Sequence, residues 1–301
     1  MSFRINEVRS FNFSNLSSND FALAEKSNEE LRVLFHEIMK KGLHGLCFSI
    51  YENGQSPGDV ISKEQVRKRL EIIRPYTQWV RSFSCLEGNE WVPIIAKEMG
   101  MKTLVGAWLG NDKAVNEKEI NALIDLAKRG YVDIASVGNE VLYRNDLSVE
   151  ELIKHIQIVK QAIPKVPVGY VDAYYEFTRH AQLTAQCDVI LSNCYPFWEG
   201  CPNEYALGHM AKMYGQAQSA DWSKKVIITE TGWPSDGESH DGAVPSLRNA
   251  LIYFIETQLW AQKEGIETFY FASFDEAWKV NAEGGLGAFW GLWDINGKLK
   301  F

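Results

Sequence analysis

The chain has 301 residues, 46% hydrophobic and 23% charged, enough to bury a substantial core as one large or two modest domains. A net charge of −8 with no Lys/Arg block excludes the basic footprint of a nucleic-acid partner and favours an uncharged one. No apolar run reaches membrane-spanning length, and the opening MSFRINEVRSFNFSNLSSND has neither an apolar stretch nor a small-residue cleavage site of the export type. The compartment therefore stays open: periplasmic or secreted if an export signal was trimmed from the chain, cytoplasmic otherwise.

Residues 1–43 form an amino-terminal extension with a Ser/Asn-rich segment at 14–19, expected to be mobile, and one helical run, NEELRVLFHEIMKKG. We expect that helix to cap the amino-terminal mouth of a barrel formed by the rest of the chain. Short, continuous β-rich runs recur from residue 45 onward: GLCFSI (45–50), TQWVRSF (77–83), TLVGAWL (103–109), IASVGNEV (134–141), VPVGYVDA (166–173), VILSNCYP (189–196), KVIITETG (225–232) and TFYFASFD (268–275). Unbroken apolar runs are what strands covered on both faces require. Helical periodicity lies between them in SKEQVRKRLEII, NEKEINALIDLAKRG and SVEELIKHIQIVKQA, the last with a Ser148/Glu151 capping box. In SLRNALIYFIETQLWAQKEG, the residues Leu247, Ala250, Leu251, Phe254, Ile255 and Leu259 share one helical face. Eight strands alternating with helices predict a single (β/α)8 TIM barrel over residues 44–301. After the eighth strand, GGLGAFWGLWDINGKLKF reads as loop, so the eighth helix has no evident sequence.

In such a barrel the chemistry sits at the carboxyl ends of the strands. Glu140 ends the fourth strand and Glu230 the seventh, which face each other across the axis, so the two converge although about 90 residues separate them. Either alone is also what a salt-bridged rim residue looks like. The pair suits retaining glycoside hydrolysis, in which one carboxyl protonates the leaving oxygen and the other attacks the anomeric carbon, the two standing about 5 to 5.5 Å apart. At that range one negative charge raises the other group's pKa.

The segments GLCFSIYENGQSPG, VGNEVLYR, NCYPFWEG, ITETGWPSDG, FDEAWK and GAFWGLWD together resemble glycoside hydrolase family 17, from about His44 to Phe301. PFWEG, FDEAWK and AFWGLWD resemble its compact bacterial branch of exo-acting β-1,3-glucanases, or laminarinases, and glucanosyltransferases; the stretch from Trp198 to Lys224 leaves no room for an extra subdomain. The resemblance implies that Glu140 is the general acid/base and Glu230 the nucleophile. It implies that Asn139 bonds the sugar 2-hydroxyl, that Tyr195 orients Glu230, and that Lys279 with Glu276 completes the charge network beneath it. Arg81 joins that network or serves only as a structural ion-pair partner, and Lys279 has the alternative of an ordinary surface lysine. Apolar sugar faces stack on aromatic planes, which makes Trp108, Trp198, Trp233, Trp278 and Trp290, each following a strand or in the final loop, candidates for binding glucose units; Trp79, Trp91 and Trp260 read as packing. Glu199 and Asp275 are rim carboxylates that either bind hydroxyls or have no dedicated role. In the strand-eight motif this chain reads Asp275-Glu276-Ala277-Trp278, at a variable point of the family pattern.

No metal or other cofactor is expected: the six histidines are scattered, and HEIMK lacks the second histidine of a zinc helix. The five cysteines form no CxxC pair and read as buried free thiols, with a Cys194–Cys201 bridge as the alternative. The function expected is a monomeric retaining hydrolase of β-1,3-glucan such as laminarin. The alternatives are a β-1,3-glucanosyltransferase working through the same covalent intermediate and, more remotely, a non-catalytic glucan-binding protein.

Overall fold

The continuous runs fold as they read. The computed structural model describes Phe3 and residues 22–301, so the Ser/Asn-rich segment at 14–19 lies outside the described residues. Eight parallel strands close on themselves in sequential order: β1 (Leu43–Cys47), β2 (Thr77–Ser82), β3 (Lys102–Ala107), β4 (Ile134–Asn139), β5 (Val168–Ala173), β6 (Val189–Asn193), β7 (Val226–Thr231) and β8 (Thr268–Tyr270). This is a single (β/α)8 TIM barrel. β4 and β7 are buried at every position, because helices cover their outer faces and the barrel core their inner ones. β8 has only three residues, far fewer than TFYFASFD predicts; beyond Tyr270 the chain pairs with the final loop instead, as in the Ala272 N–H bond to the Trp290 carbonyl at 3.0 Å.

Helices α1 (Asn28–Lys41), α2 (Lys63–Ile73), α3 (Trp91–Glu98), α4 (Lys113–Lys128) and α5 (Val149–Ala162) precede or link the first five strands. Two short helices, α6 (Glu176–Arg179) and α7 (Ala181–Gln186), follow β5; α8 (Asn203–Ser219) and α9 (Leu247–Glu264) flank β7; and one turn, α10 (Val280–Glu283), sits beyond β8. The Ser148/Glu151 capping box of α5 forms, and Ser27 with Glu30 makes a second one on α1. α9 is buried more widely than one face: Ala250 to Thr257, Trp260 and Ala261 are all inside, while Leu247 is 52% exposed.

The reason is the position of α1. It does not cap the amino-terminal mouth but packs along α9, with the Phe35 ring 4.9 Å from Phe254 and 5.1 Å from Phe301. The chain before β1 thus stands beside α9, where a barrel's eighth helix would be, and the loop-like sequence after β8 is freed to fold over the mouth. Among the described residues no helix is long and apolar enough to cross a membrane.

Candidate active site

Three strand ends build the centre. Glu230 is the fifth residue of β7, and the pairing of β6 with β7 slips at Asn193 so that Asn193 stands opposite it. Glu140 directly follows β4, whose pairing with β5 slips between Ser136 and Asn139. Glu140 has φ +52°, a left-handed conformation rare for a residue with a side chain and concentrated at functional sites. Three sets of bonds hold it there. The Glu140 N–H donates to the Val171 carbonyl at 2.8 Å, and its carbonyl accepts from the Arg144 N–H at 2.9 Å. The Leu142 N–H donates to the Tyr170 hydroxyl at 2.9 Å, and that hydroxyl donates in turn to buried Asp172. The Arg144 guanidinium donates to the Asn139 and Leu109 carbonyls and pairs with Asp146.

The two carboxylates meet through one nitrogen. Asn193 Nδ2 donates to Glu140 Oε1 at 2.9 Å and to Glu230 Oε1 at 3.1 Å, which caps the separation of those oxygens at about 6 Å. The Thr229 hydroxyl fixes the amide by donating to Asn193 Oδ1 at 2.9 Å. Glu230 receives two further donors, Arg81 Nη1 on Oε1 at 2.7 Å and the Tyr195 hydroxyl on Oε2 at 2.8 Å. Arg81 is 1% exposed, and its other arm donates to Asn139 Oδ1 at 2.7 Å. The ion pair is dry, and each end has a further hydrogen-bond partner. Among the described residues the Glu140 carboxyl accepts from Asn193 alone, and burial followed by the charge of Glu230 pushes its pKa up to about 7. Two glutamates a few ångströms apart therefore stand in opposite surroundings, one ringed by donors and a guanidinium, the other buried with a single donor.

Both carboxyls line a cavity of about 530 Å3. It is walled by Tyr143, Tyr174 and Tyr175, from the chain after β4 and β5, and by Tyr195, Trp198, Phe271 and Trp290, from the chain after β6 and β8. Glu199 also reaches the cavity, held by the Tyr174 hydroxyl at 2.9 Å and His209 at 2.8 Å.

Several expected residues fall elsewhere. Trp233 is 1% exposed and packs between Phe197 and Tyr253, so it supports the site and offers sugar no face. Trp108 is 39% exposed under the Arg144 guanidinium, and Trp278 lies edge-on to Tyr51 with its N–H on Glu276; neither lines the cavity. Lys279 is buried, paired with Glu276 at 2.6 Å and seated 4.0 Å over the Phe271 ring; the direct ion pair to Glu230 belongs to Arg81. Asp275 pairs with Lys300. Asn139 lies behind the acid with its oxygen already occupied, leaving its amide hydrogens as donors. Asn193 is the residue that a search of strand ends for charged groups misses, although it is the last residue of β6. All five cysteines are free and buried, so Cys194 and Cys201 are unbridged. Among the described residues no three His, Cys, Asp or Glu side chains group as metal ligands would.

Residues 45–291 match the BtgE/BtgC glycoside hydrolase domain. A "Glucan 1,3-beta-glucosidase" of Arthroderma benhamiae is 28% identical over 81% of this chain and 85% of its own length. A "Probable glucan endo-1,3-beta-glucosidase btgC" of Aspergillus fumigatus is 30% identical over 79% of this chain and 39% of that longer protein. Among solved structures, the glycoside hydrolase family 17 β-1,3-glucanosyltransferase of Rhizomucor miehei superposes with a TM-score of 0.78 at 27% identity, covering 87% of this chain and 96% of that one. An active-site mutant of that enzyme was solved in complex with laminaritriose.

Proposed function

The chain belongs to the BtgE/BtgC glycoside hydrolase family, and from that premise we propose that it cleaves β-1,3-glucan, of the laminarin type or its oligosaccharides, with retention of configuration. The observation that carries the reading is the single Asn193 nitrogen shared by Glu140 and Glu230. It brings one oxygen of each carboxyl to within about 6 Å of the other, which supports the short spacing of a retaining pair over the roughly 6.5 to 9.5 Å of an inverting one. The relatives' names supply the substrate class, and the aromatic walls suit the apolar faces of glucose. The motifs PFWEG, FDEAWK and AFWGLWD, with only a single turn and α8 between β6 and β7, support a place in the compact bacterial branch.

In the first step the Glu230 carboxylate attacks the anomeric carbon while the protonated Glu140 gives its proton to the departing glycosidic oxygen, leaving a glycosyl ester on Glu230. In the second, Glu140, now a carboxylate, takes a proton from an incoming hydroxyl whose oxygen displaces Glu230. Arg81, Tyr195 and Asn193 stabilise the nucleophile as an anion, and Asn139 directs its free amide hydrogens to the sugar 2-hydroxyl. If the incoming hydroxyl belongs to water the reaction is hydrolysis; if to a sugar, it is transfer. The transfer reading is favoured by the Rhizomucor miehei neighbour and by the three tyrosines from the chain after β4 and β5, where a leaving or accepting sugar would lie.

Time-resolved product analysis with laminarin and defined laminari-oligosaccharides tests both readings. Glucose alone marks exo hydrolysis, mixed shorter oligomers endo hydrolysis, and products longer than the substrate transfer. In a Glu140→Ala variant, azide should restore turnover as a β-glycosyl azide. An α-glycosyl product would overturn the retaining scheme.

A further inference from the structure

The stretch that carries Trp290 is held from below by an ammonium that the reaction scheme leaves unused. A tight turn brings it there: Trp293 and Leu299 form an antiparallel bridge, the Asp294 N–H donates to the Lys298 carbonyl at 2.8 Å, and the Lys300 N–H donates to the Leu292 carbonyl at 3.0 Å. Lys300 Nζ then donates to Asp275 Oδ1 at 2.8 Å, Ser235 Oγ at 2.7 Å and the Phe289 carbonyl at 3.3 Å. These acceptors come from the chain after β7, the chain after β8 and the stretch containing Trp290. The Lys300 and Asp275 side chains are only 10% and 12% exposed, so the pair is largely shielded from water.

The cluster grips both residues adjacent to Trp290. The Phe289 carbonyl accepts from Lys300 and from the Ser235 N–H and hydroxyl, at 3.0 and 3.2 Å, while the Gly291 N–H donates to Asp275 at 2.9 Å. Gly291 has no space for a side chain, since a Cβ there would collide with the Asp275 nitrogen, so the two segments touch backbone to backbone. The Trp290 ring is part of the cavity wall, with its centroid 5.5 Å from those of both Tyr195 and Trp198. We propose that Lys300 is a positioning residue for substrate binding: its ammonium clamps the chain after β7 and after β8 to residues 289–291 and so sets the Trp290 ring against the cavity. The kinetic part of this inference rests on the glucan-active reading; the spectroscopic part does not.

Lys300→Met keeps the stem and removes the charge and its donors. The comparison variant is Lys97→Met, which breaks a 2.7 Å ion pair to Asp133 outside the active site. Both should lower Tm. Only Lys300→Met should raise KM for laminari-oligosaccharides, by about tenfold with kcat held within about twofold, the signature of lost binding common to the ground and transition states. It should also remove from the near-ultraviolet circular dichroism the contribution of Trp290, defined as the difference between wild type and Trp290→Phe. Ser235→Ala deletes one acceptor and leaves the ion pair; an expected KM rise of about threefold keeps the clamp testable if Lys300→Met does not accumulate folded. A Lys300→Met enzyme with wild-type KM and a wild-type near-ultraviolet spectrum, having lost only Tm as Lys97→Met does, overturns the proposal. Should wild type fail to turn over laminari-oligosaccharides, the glucan reading falls, and the near-ultraviolet comparison still decides the clamp.

Discussion

The end of β7 and the end of β4 place the same residue type in opposite surroundings. Glu230 lies within β7, where the pairing with β6 slips, and accepts bonds from a guanidinium, a phenol and an amide. Glu140 follows its strand in a left-handed backbone conformation, shares only the amide, and has Asp172 and Glu230 as negative neighbours against one positive one, Arg144. Donors and a paired cation stabilise a carboxylate; burial beside like charge stabilises a carboxylic acid. The division of labour that we propose, nucleophile and acid, therefore rests on what each glutamate touches, since the side chains are chemically identical.

That contrast can be broken by substitution. Glu230→Ala removes the attacking group and should lower kcat on the order of 10⁴-fold or more in an oligosaccharide assay; full activity would remove the assignment of nucleophile. Arg81→Met leaves Glu230 buried without its cation and should cost roughly 3 to 5 kcal/mol by denaturant unfolding, together with about a hundredfold in kcat, if β7 owes its anion to that pair. The pH profile sharpens the other half. Because Glu140 must be protonated to act as an acid and its pKa is raised to about 7, activity should be full below that value and fall as pH rises through it. The same sign holds for stability: the contribution of a carboxyl raised in the folded state is complete below the ordinary carboxyl range and is lost progressively as pH rises from there through about 7. Asp172→Asn, removing one of the like charges, should move the basic limb to lower pH. Trp233→Phe is the smallest effect expected: a loss of about 1 to 3 kcal/mol in stability with KM unchanged, since that ring packs inside rather than facing sugar.

Much of this can be read before folding. All eight strands lie within their apolar runs or overlap them, β8 filling only the first three residues of its run, and the two glutamates follow from the rule that barrel chemistry sits at strand ends. The rest depends on contacts between distant segments. The place of α1 is decided by Phe35 meeting Phe254 and Phe301, and no local pattern in NEELRVLFHEIMKK says which wall its apolar face will meet. The resemblance implies Lys279 with Glu276 beneath Glu230 and leaves Arg81 open between that network and a structural ion pair; only the folded barrel shows that Arg81, from β2, makes the direct pair while Lys279 pairs with Glu276. Trp233 follows a catalytic strand as Trp198 does, yet the chain turns its ring inward to Phe197. Asn193 is within reach of the sequence: the strand-end rule that finds Glu140 and Glu230 applies to it equally, but amides carry no charge to draw attention.

The five buried sulfhydryls give the molecule a gauge of its own opening. Cys47 lies under the catalytic floor, its thiol donating to the Thr229 carbonyl at 3.2 Å with Arg81 beside it, and burial pushes its pKa up to about 12. A thiol-specific reagent would reach it only when β1, β2 and β7 part, whereas Cys187, before β6 at the opposite end of the barrel, would report loosening there. The order in which the sulfurs are labelled during slow denaturation would therefore reveal which end of the barrel comes undone first.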